Sequence, residues 1–196
     1  QTVLPHLVLS VGGMEKPVIR EYAERCGIKV ASKPDSQEIC FIPDDDYARY
    51  IKFHSDYTDV EGNFVDTDGK VIGRHMGIIH YTVGQRKGLG AAFGEPKYVV
   101  RVDAENNRVV LGGNNDTFSA SLTADRVNFL SGRFPDLPLA VTSKVRYSGG
   151  DSPATVTPLG NGRVRVDFGP PVRAVTPGQS VVFYSGDELL GGGIIE

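Results

Sequence analysis

Two stretches of this 196-residue chain hold residue types able to do chemistry. The first, Lys33-Pro-Asp-Ser-Gln-Glu-Ile-Cys-Phe-Ile-Pro43, sets a cysteine in a segment bracketed by prolines, which favours extended backbone. Alternation along such a backbone puts Ile39 and Phe41 on one face and Cys40 on the other. That arrangement anchors a loop by its apolar side and presents a thiol. A thiol attacks, or carries sulfur, only as thiolate, and Lys33 or a nearby arginine would favour that form. A lone cysteine between apolar residues is also the signature of a packed core position, and spacing alone does not choose between the two.

The second stretch is Gly73-Arg-His-Met-Gly-Ile-Ile-His-Tyr-Thr-Val-Gly-Gln-Arg-Lys-Gly-Leu-Gly90. Five glycines in eighteen residues imply tight turns or close backbone approach. Arg86 and Lys87, flanked by Gly84, Gly88 and Gly90, have the makings of a phosphate-holding loop, and equally of a glycine-rich hairpin. The spacing is not that of a Walker loop, since no Lys-Ser/Thr follows, nor does Gly88-Leu-Gly90 extend into a dinucleotide fingerprint. Three consecutive aspartates, Asp44 to Asp46, suggest a metal site at first sight, but capping of a helix start accounts for them. Cys26 and Cys40 with His6, His54, His75 and His80 show no zinc-ligand spacing, so no metal site is expected.

The elements that must position these residues change character along the chain. Residues 14–27 read as a helix, with Glu15, Lys16 and Pro17 in its first turn, Val18 and Tyr22 at i, i+4 spacing, and Gly27 as the stop. Asp44 then reads as the N-cap of a short helix from Asp45 to Phe53. From Gly62 onward short apolar runs alternate with turn signals. The clearest is Asn161-Gly162 between Ala154–Pro158 and Val164–Phe168, where Val164, Val166 and Phe168 face one way and Arg163, Arg165 and Asp167 the other. Six short strands follow Ser121, enough to close a small barrel. A break near Thr117–Leu122 separates that barrel from a smaller β-rich segment.

Composition bounds the function. Hydrophobic residues make up 40% and charged residues 23%, an ordinary globular mixture, and two cysteines are too few for a secreted disulfide scaffold. A reducing, cytoplasmic setting is expected. No apolar run approaches the roughly 18–20 residues of a membrane span, and no basic–apolar leader opens the chain. The formal net charge of −3 argues weakly against nucleic acid, but it is unevenly spread. Residues 1–69 carry 7 Lys/Arg against 13 Asp/Glu, whereas residues 70–101 carry 6 against the single Glu95. A local basic stretch can still meet phosphates, because charges within roughly 8–10 Å dominate.

The blocks Asp35-Ser-x-x-Ile-Cys-Phe-Ile42 and Tyr81-Thr-Val-Gly-Gln-Arg-Lys-Gly-Leu-Gly90 both resemble the tRNA-specific 2-thiouridylase family. So does the third block, Val175-Thr-Pro-Gly-Gln-Ser-Val-Val-Phe-Tyr184 with Leu190-Gly-Gly-Gly-Ile-Ile-Glu196. The likeness runs in matching order from about Ser10 to the end. It implies a mainly β chain with a small α part. Residues 1–53 would be a remnant of the N-terminal domain with the catalytic-cysteine loop, 54–117 a small central α/β domain, and 118–196 a six-stranded, elongation-factor-like barrel.

The resemblance further implies a parent enzyme that uses ATP with magnesium to adenylate wobble uridine 34 in the tRNAs for Lys, Glu and Gln. Sulfur would then come from a persulfide on the cysteine matched by Cys40. A partner cysteine elsewhere in the parent would release the sulfur by forming a disulfide. A cysteine desulfurase or a sulfur-relay protein would supply the persulfide. The tRNA contacts carried over are Arg146, Tyr147 and Gln179; Arg suits phosphate and Tyr suits stacking on an unpaired base. The ATP-loop signature Ser-Gly-Gly-x-Asp-Ser is absent, and Ser148-Gly149-Gly150-Asp151-Ser152 lacks its spacer residue and reads as a hairpin turn. Cys26 has no counterpart and reads as helix packing. This segment alone is thus expected to be inactive. The rival reading is a noncatalytic RNA-binding barrel, and a third is a purely structural β domain.

Overall fold

The computed structural model describes residues 3–34, 41–42, 46–136, 138–147 and 149–196. They form two compact units, Gln1–Tyr57 and Thr58–Glu196.

The first unit holds a 3-10 turn, Leu4–His6, and two α-helices, α1 (Lys16–Arg25) and α2 (Tyr47–His54). Helix α1 begins two residues later than its composition suggests, at an uncapped Glu15 with Pro17 in the first turn. Its end is a full Schellman motif: Gly27, at φ +69°, donates to the Glu24 carbonyl at 2.9 Å, and Ile28 donates to Ala23 at 2.9 Å. None of its ten residues is buried. The reading of Cys26 as helix packing is therefore wrong; it is the C-cap residue and is exposed. The Arg20 guanidinium ties the helix to the chain beyond it, donating to the carbonyls of Ala31 and Lys33, each at 2.8 Å.

Helix α2 is capped by Asp46, not by Asp44. The Asp46 carboxylate accepts the Arg49 amide at 2.8 Å, the N3 position that a capping side chain reaches. Of three adjacent aspartates only the one three residues before a free amide can do this, a distinction that composition does not make. Just before it, Phe41 is 61% exposed, its ring 5.4 Å from Tyr50, and Ile42 is the buried residue at 5%. The apolar anchor of this segment thus lies one residue further on than strict alternation from Phe41 suggests. Cys40 and Ile39 lie outside the described residues.

The second unit is built of β-strands, with 3-10 turns at Ile78–His80 and Asn115–Thr117. Strands β1 (Gly62–Val65), β2 (Val71–His75), β3 (Tyr98–Asp103) and β4 (Arg108–Gly112) form a sheet in the order β2-β1-β4-β3. Only the β1–β4 pair in it is parallel. Its core is Phe64, Val99, Val109 and Leu111, all at 0% exposure, with Tyr81 and Leu89 packed on them from the loop between β2 and β3.

Strands β5 (Phe118–Phe129), β6 (Leu139–Lys144), β7 (Ser152–Gly160), β8 (Arg163–Arg173), β9 (Ser180–Ser185) and β10 (Glu188–Ile195) close into an antiparallel barrel. The barrel order is β10-β5-β8-β7-β6-β9, so the six-stranded barrel read from the sequence is present and no open edge remains. The Asn161-Gly162 turn has both residues at positive φ, +51° and +73°, as a two-residue hairpin requires. Val156, Val164, Val166, Val181 and Phe183 fill the barrel at 0% exposure. Burial of each contributes about 1.5–3 kcal/mol. Gly149 and Gly150 lie in the connection between the antiparallel neighbours β6 and β7, where Ser143 pairs with Ser152.

Closure depends on β10 fitting between β5 and β9, and three glycines allow it. A Cβ on Gly192 would sit 2.6 Å from the Val181 carbonyl oxygen, and one on Gly193 2.6 Å from Val127 Cγ2 and 2.8 Å from the Asp125 carbonyl oxygen. Because the obstacle at Gly192 is backbone, a side chain there must spread the barrel. Gly192→Ala should therefore destabilise the chain by about 1–3 kcal/mol. Urea unfolding should show a lower midpoint with an unchanged slope, and an unchanged midpoint would contradict the close approach.

Candidate functional site

The carried-over residues Arg146, Tyr147 and Gln179 leave the barrel on two connections, β6 to β7 and β8 to β9. Arg146 is half-buried, and its guanidinium faces protein oxygen. Its Nε donates to the Ala174 carbonyl at 3.1 Å, and its Nη2 donates to the Val83 carbonyl at 2.9 Å and to Thr176 Oγ1 at 3.0 Å. Burial, and then the neighbouring Arg173 charge, hold it below the usual guanidinium range. Val83 belongs to the glycine-rich loop of the sheet, and Ala174 and Thr176 to the barrel. One side chain therefore joins the two.

That loop is shaped to meet it. Thr82-Val83-Gly84-Gln85 is a turn closed by the Gln85 amide on the Thr82 carbonyl at 2.9 Å, with Gly84 at φ +87°. The Gln85 side chain accepts from the Thr82 amide at 2.9 Å and donates to the Lys87 carbonyl at 2.9 Å. A Cβ on Gly84 would come within 2.8 Å of the Ala174 Cβ, so glycine is needed for contact as well as for conformation. Leu89 anchors the far end at 6% exposure, and Arg86 and Lys87 between stand exposed. Both readings of the glycines, tight turns and close approach, hold in this one loop.

On the barrel side, Thr176-Pro177-Gly178-Gln179 is a second turn, with Gly178 at φ +84° and the Gln179 amide on the Thr176 carbonyl at 3.2 Å. Gln179 accepts the Ile195 amide through its backbone at 2.8 Å and leaves its side chain exposed. Because Arg146 binds both Ala174 and Thr176, it also fixes the turn that displays Gln179. Tyr147 is fully exposed, at 104%. Sequence reading missed Arg173, which follows Val172 at the end of β8 with its guanidinium 5.4 Å from the Tyr98 ring centroid. No motif points to it; only the fold brings it beside Ala174. A cleft of about 810 Å³ opens nearby between the sheet and the barrel, with Thr82, Arg101, Ser121, Arg165, Thr176 and Glu196 among its walls. Arg165 there is already held by Asp167 at 2.8 and 3.0 Å and by Ser121 at 3.2 Å.

Three family models match consecutive parts of the chain. They are the tRNA methyl transferase HUP domain over residues 1–44, the tRNA methyl transferase PRC-barrel domain over 50–113, and the aminomethyltransferase β-barrel domain over 119–195. Over all 196 residues the chain is 54% identical to tRNA-specific 2-thiouridylase MnmA of Acetivibrio thermocellus. It is also 50% identical to the protein of that name in Clostridioides difficile over the same length. The chain belongs to the tRNA-specific 2-thiouridylase family. It spans about half the length of these relatives, 55% and 54%. The 2-thiouridylase family resemblance seen in the three motif blocks therefore extends over the whole chain. The methyl-transferase wording of the domain models does not describe these relatives, whose names specify thiolation of tRNA.

The Gly149–Ser152 segment does not fit an ATP-binding loop. Phosphate-binding loops of that kind lead into a helix N-terminus, whereas Gly149–Asp151 leads into β7 and Asp151 pairs with Lys144 at 3.0 Å. Among the described residues no three His, Cys, Asp or Glu side chains are grouped to hold a metal, and no helix is long and apolar enough to cross a membrane. Cys40 lies outside the described residues.

Beneath the loop, His75 is 3% exposed within an aromatic cluster, with Phe64 and Tyr81 each 5.5 Å away by ring centroids. Its Nδ1 accepts the Gly77 amide at 3.2 Å, so the proton sits on Nε2, 3.3 Å from the Asn107 carbonyl. Burial pushes this imidazole below its ordinary value of about 6.5, against the pull of the Asn107 bond. The unfolded chain then binds the extra proton first. Stability is complete above about pH 6.5 and falls as the pH drops below it, by at most about 1.4 kcal/mol per pH unit. Wild type should lose stability between pH 7 and 5 more steeply than His75→Gln. Parallel curves in denaturant titrations at the two pH values would contradict this.

Proposed function

We propose that this chain is the RNA-docking and sulfur-carrying part of an enzyme that replaces the C2 oxygen of wobble uridine with sulfur. The observation that carries the proposal is the match over all 196 residues to relatives named tRNA-specific 2-thiouridylase. The junction just described supports it physically: an exposed aromatic and an exposed amide flank a cation-rich seam. Arg146, Tyr147 and Gln179 form the tRNA-facing patch, with Tyr147 stacking on a base and Gln179 offering both donor and acceptor. The three-part division, with boundaries at about 53 and 117, goes with this reading.

Cys40 carries the sulfur as a persulfide received from a cysteine desulfurase or a relay protein. Its terminal sulfur passes to C2 of the activated uridine, and the partner cysteine completes release as a disulfide. ATP and magnesium belong to the remainder of the complete enzyme, as does that partner cysteine. The setting proposed is the cytoplasm. The noncatalytic alternative, a barrel that only docks RNA, shares the binding surface and differs at Cys40.

Two measurements separate these readings. In the complete enzyme carrying this segment, Cys40→Ser should abolish 2-thiouridine formation while tRNA binding and thermal stability stay near wild type. Wild-type levels of thiolated tRNA in that variant would leave only the docking role. For the surface itself, Tyr147→Ala should weaken tRNA binding by roughly 1–3 kcal/mol, the value of one aromatic–base stack, with its salt dependence unchanged. An unaltered affinity would remove Tyr147 from the interface.

A further inference from the structure

Resting on the tRNA-binding reading above, we infer that Arg173 is the phosphate-contacting cation of this surface and that Arg146 is its positioning residue. The two arginines lie side by side in the fold, because Arg146 bonds the carbonyl of Ala174, the residue next to Arg173. Their surroundings differ. The three bonds of Arg146 use Nε and Nη2 on protein acceptors from both sides of the junction. A guanidinium so committed fixes geometry and has only Nη1 outside those bonds.

Arg173 is exposed, and its guanidinium lies against the face of Tyr98 on β3. An aromatic face steadies a cation without neutralising it. Among the described residues, no ion pair is formed by Arg146, Arg173, Arg86 or Lys87, unlike Lys144, Arg163 and Arg165 elsewhere on the barrel. Arg86 and Lys87 sit two and three residues beyond Gly84 on the loop that Arg146 holds. Burial, and then the neighbouring Arg173 charge, hold Arg146 below the usual guanidinium range, so two like charges meet at this seam. A phosphodiester bound at the seam would relieve that repulsion. In the nearby 810 Å³ cleft, by contrast, Arg165 is already matched by Asp167.

The test is a salt titration of the binding of one unmodified tRNA transcript to the 196-residue chain and four variants. Arg173→Gln should lower the slope of log affinity against log salt by about 0.7–0.9, one phosphate contact, and Arg173→Lys should restore it. Arg146→Gln and Arg146→Lys should behave alike, since lysine keeps the charge but cannot span Val83, Ala174 and Thr176. Both should weaken binding with little change in slope and speed hydrogen exchange at the Gly84 and Val99 amides. An unchanged slope in Arg173→Gln overturns the phosphate role. Wild-type binding and exchange in Arg146→Lys overturn the positioning role. If the unaltered chain fails to bind the transcript even at low salt, the docking reading itself falls and this assignment with it.

Discussion

Closing six strands on themselves forces the last one to run between two others at backbone distance, and the rest of the unit hangs on that fit. Strand β10 meets β5 on one side and β9 on the other, and Gly191, Gly192 and Gly193 are there because no Cβ has room. Once β9 is held, the β8–β9 connection that carries Ala174, Thr176 and Gln179 has fixed ends. Once β6 is paired with both β7 and β9, Arg146 leaves it at a fixed point. The side-chain latch across the junction is a consequence of the closed barrel rather than an independent feature.

The sheet makes a complementary contribution. Its aromatic cluster of Phe64, His75, Tyr81 and Phe93 packs edge to face, with centroids 5.2–5.7 Å apart. Such packing gives the loop that begins at Tyr81 a rigid root, a better foundation for a binding surface than a free loop. The exposed residues of that loop, Arg86 and Lys87, stand between Gln85, whose side chain braces the turn, and Leu89, which is buried. The exposed charges here lie on short connections held at both ends.

Much of this was legible in the chain itself. The Asn161-Gly162 turn and the alternation from Arg163 to Phe168 specify β7 and β8 because both signals are local. The Tyr81–Gly90 glycines correctly indicate both turns and close approach for the same reason. What local reading missed has non-local causes. Whether Asp44 or Asp46 caps α2 depends on which carboxylate meets the Arg49 amide. Cys26 reads as helix packing, yet it is exposed and α1 buries none of its residues. Arg173 carries no motif, and its interest arises only because β8 ends beside Tyr98 and Ala174. Arg146 is singled out in the sequence only as a carried-over tRNA contact, while its bonds to Val83 and Ala174 span 63 and 28 positions.

The acceptors of that arginine have a bearing on how the family can diverge. Two of its three partners are main-chain carbonyls, which every amino acid supplies, and only Thr176 offers a side chain. Sequence drift at position 83 leaves the acceptor in place whatever the side chain. Position 174 is limited to small residues, by the closeness of Gly84 and its own φ of +55°, rather than by the bond it accepts. Covariation with Arg146 should therefore be confined to Thr176. A junction wired through the backbone can hold its shape while the side chains around it change.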